Sequence, residues 1–224
     1  PGVNIVYFGS GAFGLPTLEA LAAEHTIAAV VTQPDRKAGR GGKLTPTPVG
    51  AWAAEHLPDV PLLKPERVGE PDIRDQVRAF AADATDLAWV VIAFGQKLPP
   101  DLLDGRFAVN LHASLLPRWR GAAPINAAIV AGDVETGNTV ITLADKMDAG
   151  LVLGRSRRPI EPTQTFAELH DLLAADGPEV VKSVLDRHAA RTLEPEKQDD
   201  SLVTLAPKFG RADAVIDFRD PAEI

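Results

Sequence analysis

The feature that most constrains the fold is an unbroken apolar run from Leu87 to Ala93, near the middle of the chain. A run of this length without polar alternation is typical of a strand that is covered on both faces, as in a parallel sheet. Parallel strands need crossover connections, and segments with helical spacing do alternate with short β-rich runs along this chain. The sequence therefore predicts a doubly wound α/β fold with a mostly parallel sheet.

Hydrophobic spacing and capping residues predict the individual elements. The predicted strands are Asn4–Phe8, Ile27–Thr32, Leu87–Ala93, Ala108–Leu111, Thr139–Leu143 and Leu151–Leu153. The predicted helices are Leu15–Glu24, Val49–His56, Ile73–Ala82, Ile125–Ala131, Phe166–Ala175 and Pro178–His188, the last two separated at Gly177. From Arg191 the sequence becomes polar, so we expect one domain over residues 1–190 and a linker segment over residues 191–224.

Composition excludes several function classes. Twenty-three Lys and Arg against 31 Asp and Glu give a formal charge of −8, which argues against a protein that coats nucleic acid or anionic membrane. The chain has no cysteine, which excludes a disulfide scaffold and a thiolate nucleophile, and no histidine pair has metal-ligand spacing, so we expect no metal site. No apolar run approaches the roughly 18 residues of a membrane span, so we expect a cytoplasmic protein with no membrane partner.

One short segment departs from this acidic balance. Residues 36–43 carry four cations and no acid: Arg36, Lys37, Arg40 and Lys43. Three glycines in the same segment predict a flexible loop. Such a loop is either a solvated surface feature or a local contact to an anionic partner.

The segment Gly9-Ser-Gly-Ala-Phe-Gly14 follows a predicted strand, precedes a predicted helix and reads G-x-G-x-x-G. Asp35 lies beyond the second strand, as in the dinucleotide-binding fingerprint, whose glycines let a pyrophosphate approach a helix N-terminus. Glycines in a first βα turn equally serve tight packing, and Asp35 leads directly into the basic loop. The motif alone leaves a nicotinamide-dependent oxidoreductase as an open alternative.

The strongest chemical signal lies at the end of the strand that contains Asn110 and His112. Strand alternation places both side chains on one side, at the carboxyl end where open α/β sheets bind ligands. An Asn amide can polarise a carbonyl oxygen and a His can move a proton near neutral pH, although an arbitrary pair of this kind can also simply cap a strand. Asp145 and Asp148 follow a later strand, and the spacing does not decide which of them would orient His112.

The residues from Asn110 to Gly121 read Asn-x-His-x-Ser-Leu-Leu-Pro-x-x-Arg-Gly, and Met147-Asp-Ala-Gly150 follows. This combination resembles the formyltransferases that use 10-formyltetrahydrofolate. Residues 32–49 are similar to the branch of that family that acts on the methionine of initiator tRNA. The similarity runs from Asn4 to about Ile224 and includes residues 205–208 and 214–218.

The resemblance implies a Rossmann-like formyltransferase fold and transfer of the formyl group of 10-formyltetrahydrofolate to the α-amine of methionine on initiator Met-tRNA, for translation initiation. It implies Asn110, His112 and Asp148 as the catalytic set. The folate-binding residues that it implies are Ser114, Leu115, Leu116, Pro117, Phe94, Gly95, Gln96 and Leu98. The tRNA-binding residues that it implies are Arg36, Lys37, Arg40 and Lys43.

The chain also departs from the family pattern. The first turn usually reads Gly-Thr-Pro-x-Phe and here reads Gly9-Ser-Gly-Ala-Phe13, while Lys97 replaces a usual aliphatic residue. The family carries a C-terminal β-barrel domain that helps to bind tRNA, and we expect this chain to end in the segment that leads to that domain. We also expect the protein to be a monomer. Besides the oxidoreductase, a sugar-nucleotide N-formyltransferase and a catalytically idle tRNA-binding module remain as alternatives.

Overall fold

The structure is a computed structural model that describes residues 2–80 and 86–214. Its strands, in chain order, are β1 (Asn4–Gly9), β2 (Thr26–Val31), β3 (Arg36–Ala38), β4 (Lys43–Thr45), β5 (Leu62–Leu63), β6 (Leu87–Ile92), β7 (Phe107–His112), β8 (Arg120–Gly121), β9 (Glu135–Thr142), β10 (Val152–Pro159) and β11 (Leu205–Ala206). Its α-helices are α1 (Leu15–Glu24), α2 (Pro48–His56), α3 (Pro71–Ala79), α4 (Pro100–Leu103), α5 (Pro124–Val130) and α6 (Phe166–Ala189).

Seven of the strands form one sheet in the order β10, β9, β7, β6, β1, β2, β5. The neighbours from β7 to β5 pair in parallel, whereas β9 runs antiparallel to both β7 and β10. The prediction of a doubly wound α/β fold with a mostly parallel sheet is therefore confirmed.

Both faces of the sheet are covered, which explains why its central strands are apolar throughout. In β6, Val90 and Ile92 belong to the core that α1 and α6 cover, whereas Trp89 and Val91 belong to the core on the side of α3 and α4. Successive side chains of a strand point to opposite faces, so a strand between two cores cannot alternate apolar with polar residues.

The prediction of two helices at Phe166–Ala175 and Pro178–His188 is wrong, because α6 is continuous from Phe166 to Ala189 and contains Pro178. Pro178 removes one helical hydrogen bond, which the packing of α6 outweighs. Gly177 does not break the helix. A Cβ there would lie 2.7 Å from Thr17 Oγ1 and 2.9 Å from Leu111 Cδ2, so glycine lets α6 approach α1 and β7 closely.

Three other predicted elements differ from the structure by more than one residue at an end, whereas the remaining predicted bounds agree to within one residue. The strands predicted at Thr139–Leu143 and Leu151–Leu153 are β9 and β10, each eight residues long. The additional residues of both strands are mostly polar or charged, which hid them from a search for apolar runs; β10 is the edge strand of the sheet, and β9 lies between β10 and β7. The helix predicted at Ile73–Ala82 ends at Ala79, and positions 81 and 82 lie outside the described residues, as do positions 215–218 of the quoted resemblance.

Residues 191–214 run back across the domain. Glu196 forms an isolated bridge with Val152, and β11 pairs in parallel with β8. The boundary at residue 190 and the linker over residues 191–224 stay predictions. No helix in the described part of the chain is long and apolar enough to cross a membrane.

Candidate active site

A cleft of about 800 Å³ opens at the carboxyl ends of β1, β6 and β7. Asn110 and His112 from β7 lie in its wall together with Asp148 from the loop after β9. The parallel strands bring their carboxyl ends to one edge of the sheet, which is where ligands bind in open α/β folds. The fold therefore brings the three sequence-predicted catalytic residues together.

His112 is held between two acceptors in this wall. Its Nε2 lies 2.8 Å from the carbonyl oxygen of Trp119, which can only accept, so Nε2 carries a proton. Its Nδ1 lies 3.7 Å from Oδ1 of Asp148, within ion-pair distance but too far for a hydrogen bond. The residue as a whole is only 7% exposed. The orientation of the ring is thus fixed, and Nδ1, which lies beside a carboxylate, is available to accept a proton.

Of the two aspartates, the structure places Asp148 beside His112. Asp148 Oδ2 accepts a hydrogen bond of 2.9 Å from the backbone N–H of Gly121, which aims the other carboxylate oxygen at His112. Asp145 lies in the cleft wall, but the contact that it makes across the cleft is through its backbone oxygen, which accepts from Lys97 Nζ at 2.7 Å. Lys97, the unusual residue at its position, thus links the loop after β6 to the loop after β9.

The backbone around these residues is strained. Among the described residues, four that are not glycine have a positive φ, and three of them are Ala93 (47°), Trp119 (64°) and Asp148 (52°). Ala93 and Asp148 line the cleft, and Trp119 supplies the carbonyl partner of His112. Such conformations cost about 1–3 kcal/mol each and cluster at functional sites, where the surroundings hold them.

Asn110 is anchored to the neighbouring strand. Its Nδ2 donates to the carbonyl oxygen of Val91 at 3.1 Å, and its amide is partly exposed in the cleft wall. The second amide hydrogen and the amide oxygen are not used by this contact. Asn110 can therefore offer a preorganised donor to a bound carbonyl oxygen.

The loop after β6 forms another wall of the cleft and contains the predicted folate residues Phe94, Gly95, Gln96 and Leu98. Phe94 and Leu98 are buried, and Gly95 has a φ of 84°, which favours glycine. Gln96 braces this wall, because its amide accepts from the N–H of Val68 and donates to the carbonyl oxygen of Pro65.

The other predicted folate residues, Ser114, Leu115, Leu116 and Pro117, lie outside the lining of the cleft. The Ser114 hydroxyl donates to the carbonyl oxygen of Arg118 at 2.6 Å, and Leu116 packs in a small cluster with Ile141 and Val152. In this structure these residues shape the loop that leads from His112 to Trp119. Their contact with folate stays a prediction.

Two of the three glycines of the first turn, Gly9 and Gly14, make room for the side chain of Tyr7. A Cβ on Gly9 would lie 2.5 Å from the ring of Tyr7, a Cβ on Gly14 would overlap its hydroxyl, and that hydroxyl donates to the carbonyl oxygen of Gly14 at 2.9 Å. Burial raises the pKa of Tyr7 far above its usual value, so the phenol stays neutral. The spacing that resembles a dinucleotide fingerprint thus has a packing cause.

The basic segment forms an exposed hairpin of β3 and β4. Arg36 makes a two-pronged ion pair with Glu66 at 2.8 and 3.2 Å. Within residues 2–80 and 86–214, Lys37, Arg40 and Lys43 are exposed and make no ion pair. The hairpin therefore presents three uncompensated cations rather than four.

A chain of hydroxyl groups ties the base of this hairpin to the cleft. Thr47, just after β4, caps α2 and shares a hydrogen bond of 2.5 Å with Thr32, at the end of β2. Thr32 contacts Ser10 at 3.5 Å, and the Ser10 hydroxyl donates to the carbonyl oxygen of Phe94 in the cleft wall.

Sequence reasoning missed one set of residues that supports the site: Trp119, Asp133, Gln198 and Thr204. Their contacts are long-range. Gln198 lies in a polar stretch without periodicity, so no local pattern could have indicated that it is buried. Among residues 2–80 and 86–214, no cluster of three His, Asp or Glu side chains is arranged to hold a metal.

Comparison with known proteins decides the family. A family model described as "Formyl transferase" matches residues 3–185. The methionyl-tRNA formyltransferase of Geobacter sulfurreducens is 43% identical over 227 residues, which cover 100% of this chain and 70% of that protein. The chain belongs to the methionyl-tRNA formyltransferase family. The enzyme of the same name from Methylobacillus flagellatus is 44% identical over 225 residues, covering 99% of this chain and 71% of that protein.

Solved formyltransferase structures share this fold at much lower identity. The N-formyltransferase from Helicobacter canadensis, solved in complex with folinic acid and dTDP-3-aminofucose, superposes with a TM-score of 0.67 at 16% identity. The superposition covers 95% of this chain and 72% of the Helicobacter canadensis chain. At this identity the likeness shows the formyltransferase fold.

Proposed function

We propose that this cleft transfers the formyl group of 10-formyltetrahydrofolate to the α-amine of methionine on initiator Met-tRNA. The observation that carries the proposal is the position of His112, fixed between the Trp119 carbonyl and the Asp148 carboxylate in a cleft wall shared with Asn110. Family membership supports formyl transfer, and this geometry assigns roles to the residues.

The amine attacks the formyl carbon as a neutral nucleophile, the bond from that carbon to the folate nitrogen breaks, and the amine proton must reach that nitrogen. Asn110 donates to the formyl oxygen, where negative charge develops; one preorganised donor of this kind is worth about 2.7–4 kcal/mol. His112 receives and returns the proton through Nδ1, since Nε2 is committed to Trp119. Asp148 stabilises the protonated imidazole, as the acid does in a Ser-His-Asp arrangement.

The cleft suits a folate in size and character. Its volume of about 800 Å³ lies in the range of small-molecule sites, about 300–1,000 Å³. The wall formed by Phe94 and Leu98 is apolar, and Leu103 and Leu143 extend it. Gly95, Gln96 and Lys97 lie in the same wall and can offer polar groups to the edge of a ring. We assign the pterin end of the donor to this wall.

The exposed hairpin of β3 and β4 is the feature that favours an RNA as the substrate. Lys37, Arg40 and Lys43 can contact phosphates, and the hydroxyl chain through Thr32 connects the base of the hairpin to the cleft wall. A sugar nucleotide carries a single diphosphate, whereas a tRNA end carries a phosphate at every nucleotide, so three cations along an exposed hairpin favour the tRNA. We propose that the hairpin holds the acceptor end of the tRNA beside the cleft.

The test is a formylation assay of the 224-residue chain with 10-formyltetrahydrofolate and two acceptors, Met-tRNA and a nucleotide-linked amino sugar. We expect formyl transfer to Met-tRNA and none above background to the amino sugar. Preferential transfer to the amino sugar, or no transfer to Met-tRNA, would overturn the proposed substrate.

A further inference from the structure

Gln198 lies at the centre of a buried network behind the active site. It is 5% exposed, and all four of its contacts lie within hydrogen-bond distance. Its Nε2 donates to the carbonyl oxygens of Asp148 and Gly150, both at 2.8 Å. Its Oε1 accepts from Nε and Nη2 of Arg120 at 3.1 and 2.8 Å. Arg120 and the loop after β9 thus satisfy both donors and both acceptor sites of this amide.

These contacts join the two loops that hold His112. The loop after β9 contains Asp148, whose backbone has a strained φ of 52°. The segment after β7 includes β8, which consists of Arg120 and Gly121, and the Gly121 N–H donates to the Asp148 carboxylate. Gln198 therefore fixes both the peptide plane of Asp148 and the segment that orients its carboxylate.

We propose that Gln198 is a positioning residue for formyl transfer, which acts by setting the position of the Asp148 carboxylate relative to His112. This inference rests on the role proposed above for Asp148. The 3.7 Å separation between the carboxylate and Nδ1 depends on a strained backbone, and a strained backbone keeps its conformation only when its surroundings define it. Misplacing a reacting group by about 1 Å can cost about 10²-fold in rate.

Two substitutions separate positioning from general stability. Gln198→Glu keeps the volume and the acceptor for Arg120, but it removes the donor and turns a carboxylate oxygen towards the carbonyls of Asp148 and Gly150. Gln198→Ala removes all the contacts. The matched control is Asn138→Ala, which removes another buried amide that donates to a backbone carbonyl, that of Leu173, and that is not part of the cleft lining.

The first measurement is kcat and KM for formylation of Met-tRNA, below the unfolding temperature of each variant. We expect Gln198→Glu and Gln198→Ala to lower kcat by about 10–100-fold. KM for both substrates should change by less than about threefold, because Gln198 lies behind the cleft wall. Asn138→Ala should keep kcat within about twofold of the unmodified chain, even where it lowers the unfolding temperature.

The second measurement is a double-mutant cycle with Asp148→Ala. If Gln198 acts through Asp148, adding Gln198→Ala to Asp148→Ala should lower kcat by less than about threefold further. Additive losses, or a kcat of the Gln198 variants equal to that of Asn138→Ala, would overturn the inference. If Gln198→Ala does not fold, Gln198→Glu takes its place in the cycle. Near-normal kcat in Asp148→Ala alone would instead refute the proposed catalytic set.

Discussion

At the scale of single residues, the carbonyl partner of His112 depends on a cluster around Asp133. Asp133 accepts two hydrogen bonds from the Arg118 guanidinium, at 2.6 and 2.9 Å, and one from the indole N–H of Trp119 at 2.7 Å. The hydrogen bonds from Arg118 are the largest cause that holds the pKa of Asp133 below its usual value, and that from Trp119 acts in the same direction. The carboxylate therefore stabilises the folded chain in its charged form.

We expect Asp133→Asn to lower the free energy of unfolding by about 1–2 kcal/mol at pH 7, less than a fully buried pair because Arg118 is half exposed. The difference from the unmodified chain should persist down to about pH 4, the usual Asp value, and then shrink as the pH falls towards the lower folded pKa. Urea unfolding of both proteins at pH 7 and at pH 3 measures this difference in the free energy of unfolding.

The matched control for this substitution is Asp59→Asn, at an exposed aspartate that makes no ion pair with any residue in 2–80 or 86–214. It should leave the free energy of unfolding unchanged at both pH values. A constant difference between Asp133→Asn and the unmodified chain at pH 7 and pH 3 would contradict a role for the charge.

The candidate catalytic residues divide into those that local pattern predicts and those that it cannot. Strand alternation placed Asn110 and His112 on one side of β7, and the structure agrees. The choice of Asp148 over Asp145 depends on the positive φ of Asp148 and on a hydrogen bond from Gly121, neither of which spacing can indicate. Gln198 lies 50 residues beyond Asp148 in the sequence, so its contact with the Asp148 backbone becomes visible only in the folded chain.

At the scale of elements, the hairpin of β3 and β4 makes a specific electrostatic prediction. Replacing Arg40 and Lys43 together by Ala should weaken tRNA binding and reduce the slope of log K against log salt concentration by about 1–2, since each phosphate contact contributes about 0.7–0.9. The measurement is tRNA affinity as a function of salt concentration.

The control for the hairpin is Arg157→Ala. This substitution removes an exposed cation from β10, at the opposite edge of the sheet, where Arg157 pairs with Glu135. It should leave the salt slope unchanged. An unchanged slope in the Arg40 and Lys43 variant would mean that the hairpin does not contact phosphates.

Elements were predictable wherever local pattern and packing agree. The helix α1 was predicted with its observed bounds, because its apolar spacing faces a core that covers it. The break expected at Gly177 and Pro178 is absent from the structure. Gly177 is needed because α6 packs closely against Thr17 and Leu111, and in the sequence alone a glycine followed by a proline resembles the end of a helix. The hairpin was expected as a flexible loop, because its short strands carry charges rather than a β-like alternation.

At the scale of the whole molecule, the fold explains how an acidic chain can hold a site for an anionic substrate. The formal charge of −8 is offset locally by the hairpin, whose base is tied through Thr32 and Ser10 to the cleft. The parallel order of β7, β6, β1 and β2 brings their carboxyl ends to one edge, so that the proposed donor wall, the candidate catalytic residues and the hairpin lie along it.

The central claim is that His112 and Asp148 perform the chemistry of formyl transfer in this cleft. The most direct test measures kcat for Met-tRNA formylation and the Kd of the folate for His112→Ala and Asp148→Ala, with His56→Ala as a control at an exposed histidine on α2. We expect kcat to fall by about 10²–10⁴-fold in the two site variants, with the folate Kd nearly unchanged and the control unaffected. Near-normal kcat in either site variant would contradict the claim.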